Sequence, residues 1–437
     1  MNKRLISICA AVLVLFTSTV ACSSTGSETN NVDPSSKDGQ GAGSDDPITL
    51  TVSTWTANEP GLSDWWPALV EGFEETHDNI TVEVQQIAFA DYITQITTQL
   101  TASSAPEIIH VPLPTTTLPA WAEAGFLADL DGFLGETDIL DVWPESQGVM
   151  AWDGINYGVL LVDYGYVLFY NEKLLSEAGV DVPTTPDELR DAAKAVTDMP
   201  GDAYGYAITD DNSPNFVRDA LVFVTGMEAP WVKDESWNLT DPAVVEAFDL
   251  WRLLGSEYAP EGTDIAQKRE SFLTGSAAMM IEGPFYYATV EDSADAELLE
   301  SLHITENPFP TQPGDVSHGL SIPASLDERT EAAAKAFIEY AASDEMMTAY
   351  SKFVTSPVAR PGSADGLRER EETEPIADVA AQAVPIIPPS LQNLRSEYSD
   401  FATLAADYLH QVLRGDGDTA DILAEFEEAL NSQGLTP

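Results

Sequence analysis

The chain has 437 residues, and its 73 acidic against 19 basic side chains give a formal net charge of −54. A surface this negative repels polyphosphates, so the composition excludes a nucleic-acid-binding protein. Hydrophobic residues make up 44% of the chain. Because the length exceeds what one core usually supports, we expect two folded lobes.

Residues 1–21 have the pattern of a secretory signal. A cationic start is followed by an apolar run, Leu5 to Phe16, which is shorter than the roughly 20 residues that a permanent membrane helix needs. The segment Thr19 to Cys22 resembles a bacterial lipobox, with Thr19 in place of a leucine-like residue. This resemblance implies lipidation of Cys22, and we expect an extracytoplasmic protein anchored to the cell membrane by lipid.

The segment after the signal has a different composition. Cys9 is lost with the signal, so Cys22 is the only cysteine left and no internal disulfide is possible. Residues 22–46 contain that cysteine and a stretch of mainly Ser, Gly, Asn, Asp and Thr, with Val32 as its only large aliphatic residue. Such a segment buries too little apolar surface to fold, and we predict a flexible tether.

The folded part begins with alternating strands and helices. Ile48 to Ser53 alternates apolar and polar residues as a half-buried strand does, and Trp65 to Thr76 has helical spacing. Thr81 to Val84 predicts a second strand, Tyr92 to Leu100 a helix, and Glu107 to Val111 a third strand. This β-α-β-α-β order is typical of an α/β fold.

Farther along the chain, two helix starts and one apolar run are well marked. Thr185-Pro186-Asp187-Glu188 has the pattern of a capping box, and Asp241-Pro242 repeats the cap followed by proline. Tyr157 to Tyr170 is apolar at nearly every position except Asp163, which is too continuous for a surface strand. We predict that this run crosses from one lobe to the other.

Several short segments follow one another in a recognisable order. They are Val52–Trp55, Phe73–Thr76, Ala105–Ile109, Ala122–Leu127, Leu168–Leu174, Phe272–Met279 and Gly283–Phe285. This order resembles the family of extracellular solute-binding proteins that includes the maltose-binding protein. The resemblance covers the whole chain after the signal. It implies an α/β periplasmic-binding-protein-like fold (type II), with two lobes, a multi-strand hinge and a ligand cleft between the lobes.

The resemblance also implies lobe boundaries. Lobe 1 comprises residues 47–162 and 306–355, and lobe 2 comprises residues 163–305 and 356–437, with an error of several residues at each boundary.

The implied function is that of the substrate-binding component of an ABC importer. Such a protein captures a carbohydrate, a mono- or oligosaccharide, by lobe closure and delivers it to a membrane permease that works with an ATPase. A polyamine, or a quaternary-ammonium osmolyte in an aromatic cage, is the alternative ligand. We expect a monomer, and the sequence predicts no metal and no cofactor.

A sugar site needs aromatic rings for the C–H faces and polar groups for the hydroxyls. Trp55 follows the first strand at its carboxyl end, where ligands of open sheets bind, although it could instead cover the edge of the core. Asp163 and Tyr164 interrupt the apolar crossing, and Asp163 could instead bind hinge amides. Phe285 and Tyr286 follow the Gly283-Pro284 turn, which can aim an aromatic face at a ligand.

Two further candidates lie in later loops. Trp231 is expected to be an exposed aromatic residue in the loop Gly226 to Asp234. Arg360 lies near the last predicted crossing and either binds ligand or forms a salt bridge between the lobes. Three weaker candidates are Asp91, Trp65 and His318.

Two other classes of protein are alternatives to a sugar-binding protein. A secreted glycoside hydrolase needs two carboxylates at a defined separation, but with 73 acidic residues a pair in the sequence decides nothing. The order of segments leaves no unmatched stretch for a catalytic domain, and we predict that the protein is not an enzyme. An iron-binding protein is a third hypothesis, because Tyr164 and Tyr166 would point to the same face of a strand.

Overall fold

The computed structural model describes residues 46–437, apart from Pro60, Pro144 and Asn212. The predicted signal, Cys22 and all but the last residue of the predicted tether lie outside these residues. Residues 47–437 form one unit that carries all the elements below. Within the described part of the chain, no helix combines the length and apolar character needed to cross a membrane.

The strands of the described residues belong to two main sheets and two short hairpins. They are β1 (Ile48–Thr54), β2 (Ile80–Gln86), β3 (Ile108–Pro112), β4 (Ala151–Trp152), β5 (Ile155–Asn156), β6 (Gly158–Gly165), β7 (Val167–Asn171), β8 (Val232–Lys233), β9 (Ser236–Trp237), β10 (Met279–Glu282), β11 (Leu302–Thr305), β12 (Pro313–Ser321) and β13 (Val384–Pro385).

The helices pack around these sheets. They are α1 (Leu62–Thr76), α2 (Phe89–Thr101), α3 (Pro114–Glu123), α4 (Asp131–Leu134), α5 (Ile139–Val142), α6 (Glu172–Ala178), α7 (Pro186–Thr197), α8 (Pro214–Gly226), α9 (Pro242–Glu257), α10 (Ile265–Leu273), α11 (Tyr286–Ser293), α12 (Ala296–Leu299), α13 (Glu328–Ala341), α14 (Asp344–Val354), α15 (Glu374–Ala380), α16 (Gln392–Ser396), α17 (Tyr398–Arg414) and α18 (Thr419–Gln433), with 3₁₀ helices at Glu145–Met150 and Asp365–Glu369.

The larger sheet contains the predicted β-α-β-α-β unit. Its order is β13-β12-β3-β1-β2, and β6 pairs with β12 beside this path. β1 runs parallel to β2 and β3, as expected when helices connect successive strands, whereas β12 is antiparallel to β3 and β6. The predicted opening strands and helices are confirmed; α1, α2 and β2 extend beyond the periodic pattern by several residues, whereas β1 and β3 differ from it by one residue at an end.

The smaller sheet is antiparallel, with the order β10-β7-β11. It has an apolar cluster of its own, because Phe169 and Met280 from this sheet pack with Phe272 of α10. The sheets are therefore separate layers, each covered by helices, as an α/β protein with two cores requires.

The long apolar run connects the two sheets. β6 ends at Gly165 in the larger sheet and β7 begins at Val167 in the smaller one, so the chain crosses at Tyr166. A second crossing runs between β11 and β12, where the Asn307 side chain donates a hydrogen bond to the Tyr166 carbonyl at 2.5 Å. The two crossings thus contact each other. The division of the chain into lobes at these points stays a prediction.

The two predicted helix starts are confirmed. Thr185 precedes α7 and accepts a hydrogen bond from the Glu188 N–H at 3.2 Å, while the Glu188 carboxylate bonds to Thr184. Asp241 precedes α9 and accepts from the Ala243 N–H at 3.0 Å. In each case a side-chain oxygen satisfies a donor that the first helical turn leaves unpaired.

Candidate ligand-binding cleft

A cleft of about 550 Å³ lies between the start of α1 and helix α11. Its size is that of a small-molecule site. It is lined by Asn58, Gly61, Ser63, Ala288, Glu291, Asp292, Phe353 and Thr355. Trp55 comes shortly before the first of these segments in the chain and Phe285 shortly before the second, although neither side chain is among those that line the cleft.

The indole of Trp55 is partly exposed and rigidly held. One face stacks on His110, with the ring centroids 4.2 Å apart and the planes 15° from parallel, and Tyr92 meets it edge-on at 5.1 Å. The Gln86 side chain donates to the Trp55 carbonyl at 2.7 Å and accepts from the Ala57 N–H at 2.9 Å. The ring therefore presents a fixed platform at the carboxyl end of β1.

A buried chain of hydrogen bonds lies behind this platform. The Thr54 hydroxyl is 2.7 Å from His110 Nδ1, and His110 Nε2 is 2.6 Å from His318 Nδ1. His318 Nε2 is 2.9 Å from the Tyr350 hydroxyl. Burial lowers the pKa of His318 to about 3, and burial together with His318 lowers the pKa of His110. Both rings are neutral at neutral pH, so His318 supports the platform from behind.

Tyr164 and Phe285 form the second aromatic group. Their rings meet edge to face with centroids 5.5 Å apart, Tyr164 on β6 and Phe285 at the start of α11. Arg269 lies 5.6 Å from the centroid of Phe285 and 5.1 Å from that of Tyr286. The Tyr286 hydroxyl donates to the Arg269 carbonyl at 3.2 Å, so Tyr286 holds α10 against α11.

The cations around this aromatic group are paired. Arg269 lies 3.3 Å from Glu282, and Lys268 lies 3.0 Å from Asp219 and 3.5 Å from Glu282. Burial alone would raise the pKa of Glu282, but Arg269 and Lys268 outweigh it and lower the pKa to about 2. Arg218 forms an ion pair with Asp315 on β12.

Glu59, in the turn before α1, interacts electrostatically with Arg269. Burial by the surrounding protein raises the pKa of the Glu59 carboxyl, and the positive charge of Arg269 opposes that rise. In the chain Glu59 follows Asn58, which lines the cleft. Glu59 and Arg269 were not predicted from the sequence.

Asp163 points away from Tyr164, because neighbouring residues on a strand face opposite sides. Its carboxylate accepts a hydrogen bond from the Ser146 hydroxyl. Burial raises the pKa of Asp163 to about 6, although the Ser146 bond opposes the rise. The structure therefore does not bring Asp163 to the aromatic pair.

The two tyrosines of the iron hypothesis are adjacent, with ring centroids 5.5 Å apart. Burial raises the pKa of Tyr164 and of Tyr166. The Tyr166 hydroxyl also lies within hydrogen-bond distance of Asp315, at 3.5 Å. Burial therefore favours the neutral phenol of each residue in the protein without ligand.

The two candidates in later loops, Trp231 and Arg360, pack against other parts of the protein. Trp231 is only 8% exposed, contrary to the expectation of an exposed loop residue, because its ring packs against Trp237 and Phe401. Arg360 pairs with Asp138 at 2.9 Å and with Asp344, and it stacks over Trp143 at 5.2 Å.

The remaining weak candidates differ in exposure. Asp91 is exposed in the first turn of α2. Trp65 is fully buried, and its indole N–H donates to the Met346 carbonyl at 3.0 Å. Trp65 is therefore a core residue.

The family described as bacterial extracellular solute-binding protein matches residues 57–348, well over half of the chain. The chain belongs to this family. The match covers the loop after Trp55, both sheet crossings and helix α11, and it makes the protein an extracytoplasmic solute-binding protein.

Two relatives match only part of their own length. YcjN of Escherichia coli K12, named as an ABC transporter periplasmic-binding protein, is 23% identical over 280 residues, which are 61% of this chain and 63% of YcjN. The maltotriose-binding protein of Pyrococcus abyssi is 24% identical over 173 residues, which are 40% of this chain and 37% of that protein. The chain thus spans less than two thirds of either relative.

A solved structure matches over nearly its full length. The GacH receptor of Streptomyces glaucescens, crystallised without ligand and in complex with acarbose, has a TM-score of 0.73 to this solute-binding protein at 23% identity. The match covers 88% of this chain and 98% of that chain. It confirms the predicted α/β fold class with two lobes.

Proposed function

We propose that this protein binds a neutral saccharide between the Trp55 platform and the Tyr164–Phe285 pair, and delivers it to an ABC importer. The observation that supports the proposal is that two ordered aromatic groups, Trp55 on His110 and Tyr164 against Phe285, belong to the segments that lead into the two sides of the cleft. Flat aromatic faces suit the C–H faces of a sugar ring, while Glu59 and Arg269 offer an acceptor and donors to its hydroxyls.

The charges near the cleft disfavour an anionic ligand. Arg218, Lys268 and Arg269 each pair with a carboxylate, and two more carboxylates, Glu291 and Asp292, line the cleft itself. An anionic ligand would be repelled by these groups, whereas the hydroxyls of a neutral ligand can donate hydrogen bonds to them.

The aromatic geometry also favours a sugar over a quaternary ammonium. A cage for such a cation directs several ring faces at one point. Here one face of Trp55 is occupied by His110, and Tyr164 meets Phe285 edge to face. The rings therefore offer separate faces on which a sugar can stack, and they do not direct several faces at one point.

The similar proteins support a carbohydrate. One is named for maltotriose, and another was crystallised with acarbose. Transport then requires a permease and an ATPase on other chains. Lobe closure about the Tyr166 and Asn307 crossings would trap the ligand, and lipid at Cys22 would keep the monomer at the membrane.

A thermal-shift screen of the purified protein tests the proposal. The panel comprises mono- and oligosaccharides, spermidine, glycine betaine and ferric iron. A saccharide at about 100 times its dissociation constant stabilises the fold by about 2.7 kcal/mol, which raises the melting temperature by a few degrees. A shift with spermidine, betaine or iron but with no saccharide would overturn the carbohydrate assignment.

A further inference from the structure

We infer that Arg395 is a positioning residue for lobe closure: it fastens α16 to the side of the larger sheet, so that α16 and α17 move with different lobes. These two helices are neighbours in the chain, separated by Glu397 alone. Glu397 is then a further crossing between the lobes. The inference rests on the proposed function in one respect, because lobe closure is what gives this crossing its role.

Arg395 is a buried charge. Its side chain has no exposed area. Although the chain has 73 acidic residues, the hydrogen bonds of Arg395 within the described residues go to backbone carbonyls. Burial lowers the pKa of Arg395 to about 10, so the side chain is still positive at neutral pH. A buried charge is costly unless hydrogen bonds replace its water, so these bonds are essential to it.

The guanidinium binds several separate parts of the chain. Its Nε donates to the Thr115 carbonyl of α3 at 3.0 Å, and its Nη2 donates to the Val149 carbonyl at 2.7 Å. Longer bonds, of 3.3 to 3.5 Å, reach the carbonyls of Ala151 on β4 and of Pro389. Arginine suits this arrangement because its five N–H groups form a planar fork that can hold several carbonyls at once. All of these partners except Pro389 belong to the predicted lobe 1.

The chain just before α16 is also held by the larger sheet. The Val384 N–H donates to the Gln312 carbonyl at 2.8 Å, and the Ile386 N–H donates to the Gly314 carbonyl at 2.9 Å. By contrast, α15, which precedes them, packs in the apolar cluster of the smaller sheet. Residues 384–396 are therefore attached to the larger sheet, although the helix before them is attached to the smaller one.

The helix after Glu397 is attached to other partners. α17 packs against α8, α9 and α18. Its Phe401 ring stacks on Trp237, with centroids 5.5 Å apart and planes 13° from parallel, and its Arg414 lies 2.7 Å from Asp210. Helices α8 and α9, Trp237 and Asp210 all belong to the predicted lobe 2. The attachment of the chain therefore changes at the junction of α16 and α17.

One exposed contact joins α16 to the C-terminal segment. The Asn393 side chain donates to the Thr436 hydroxyl at 2.9 Å. Because both residues are exposed, water can replace this bond when the lobes rotate. The bonds of Arg395 are buried, and breaking them would leave a charge without partners. We therefore expect α16 to keep its attachment to the larger sheet and to give up the contact with Thr436.

Hydrogen exchange of the purified protein without ligand, followed by mass spectrometry, tests this inference on the wild type, Arg395→Met and Arg395→Lys. Arg395→Met removes every donor of the side chain. Exchange should become about 10-fold faster or more in residues 384–396, 113–118 and 147–152, while α17 and α18 keep the wild-type rates. Arg395→Lys keeps the charge but not the fork, and it should give a smaller rise in the same segments. If Arg395→Met does not fold, Arg395→Lys provides the same regional comparison.

Arg252→Met is the matched control. Arg252 on α9 also binds backbone carbonyls, those of Gly415 and Gly417 at 2.7 and 2.8 Å, but these follow α17 and lie on the same side of the junction as α9. Arg252→Met should speed exchange around residues 415–419 and leave residues 384–396 unchanged.

Three results would overturn the inference. They are unchanged exchange in residues 384–396 of the Arg395 variants, a rise spread evenly over the whole chain, and a rise shared by α16 and α17. An even rise would mean that Arg395 contributes only to global stability, and a shared rise would mean that the two helices move together. Because no ligand is added, failure here leaves the proposed function intact, and failure of the saccharide screen does not alter this result.

Discussion

At the scale of single residues, Trp55 is oriented by groups that a ligand does not touch. His110 supports one face of the indole, and its own ring is fixed by Thr54 on one side and His318 on the other. A buried network of this kind stabilises one geometry only while each member keeps its protonation state. The protonation of the histidines therefore matters to the stability of the site.

We predict that the two histidines destabilise the protein as the pH falls from 7 to 5. The unfolded chain, with an ordinary histidine pKa near 6.5, takes up protons in this range, whereas burial keeps the folded pKa values lower. The free energy of unfolding should fall by about 2 kcal/mol per histidine. Urea unfolding of the wild type and of His318→Gln at pH 7 and pH 5 measures this fall in the free energy of unfolding.

His318→Gln should lose less stability on acidification than the wild type, by about the share of one histidine. If the free energies of unfolding of the wild type and His318→Gln fell equally between pH 7 and 5, the lowered pKa of His318 in the folded protein would be contradicted.

Some residues of the candidate site could be predicted from the sequence, and others could not. Trp55, Tyr164 and Phe285 stand next to strand ends and turns, so their positions relative to the sheets followed from local patterns. Glu59 and Arg269 carry no local signal, because they approach each other only through the chain crossings. The prediction that Trp231 is exposed was wrong, because a position in a loop does not show which side chains pack over the residue.

At the scale of elements, the turn before α1 determines the shape of the cleft. Gly61 has a φ of 76° and lines the cleft, and a Cβ there would lie 2.3 Å from the Phe353 carbonyl oxygen. The close approach of α1 to the end of α14 therefore requires glycine. On the facing side of that contact, Thr355 also has a positive φ, 52°, which is unusual for a β-branched residue.

We predict that Gly61→Ala lowers the free energy of unfolding by about 1–3 kcal/mol, from backbone strain and the contact with Phe353. Urea unfolding measures the loss. Gly125→Ala is the matched control, because Gly125 has a φ of 69° but open space around its Cα. Gly125→Ala should show the effect of backbone strain alone, so its free energy of unfolding should fall by less than that of Gly61→Ala. Equal losses in the two variants would mean that the contact with Phe353 contributes nothing.

The elements themselves followed well from hydrophobic periodicity and caps. The opening β-α-β-α-β unit and helices α7 and α9 appear where the patterns indicate them. The pairing of β12 with β3, β6 and β13 could not be read from the sequence, since it joins strands far apart in the chain. Long-range pairing is set by the packing of whole layers, which local patterns do not specify.

At the scale of the whole molecule, two sheets with separate helical layers meet at crossings that contact each other. Few crossing strands with small contact areas allow one lobe to rotate against the other. A ligand drives closure only through contacts that both lobes make with it. We therefore expect Trp55 and Phe285 to contribute to binding the same ligand.

Calorimetric titration of Trp55→Ala and Phe285→Ala with a saccharide that binds the wild type tests this expectation. Each variant should lose about 10-fold or more in affinity, while its melting temperature without ligand stays close to that of the wild type. Unchanged affinity in either variant would contradict a single site formed from both sides of the cleft.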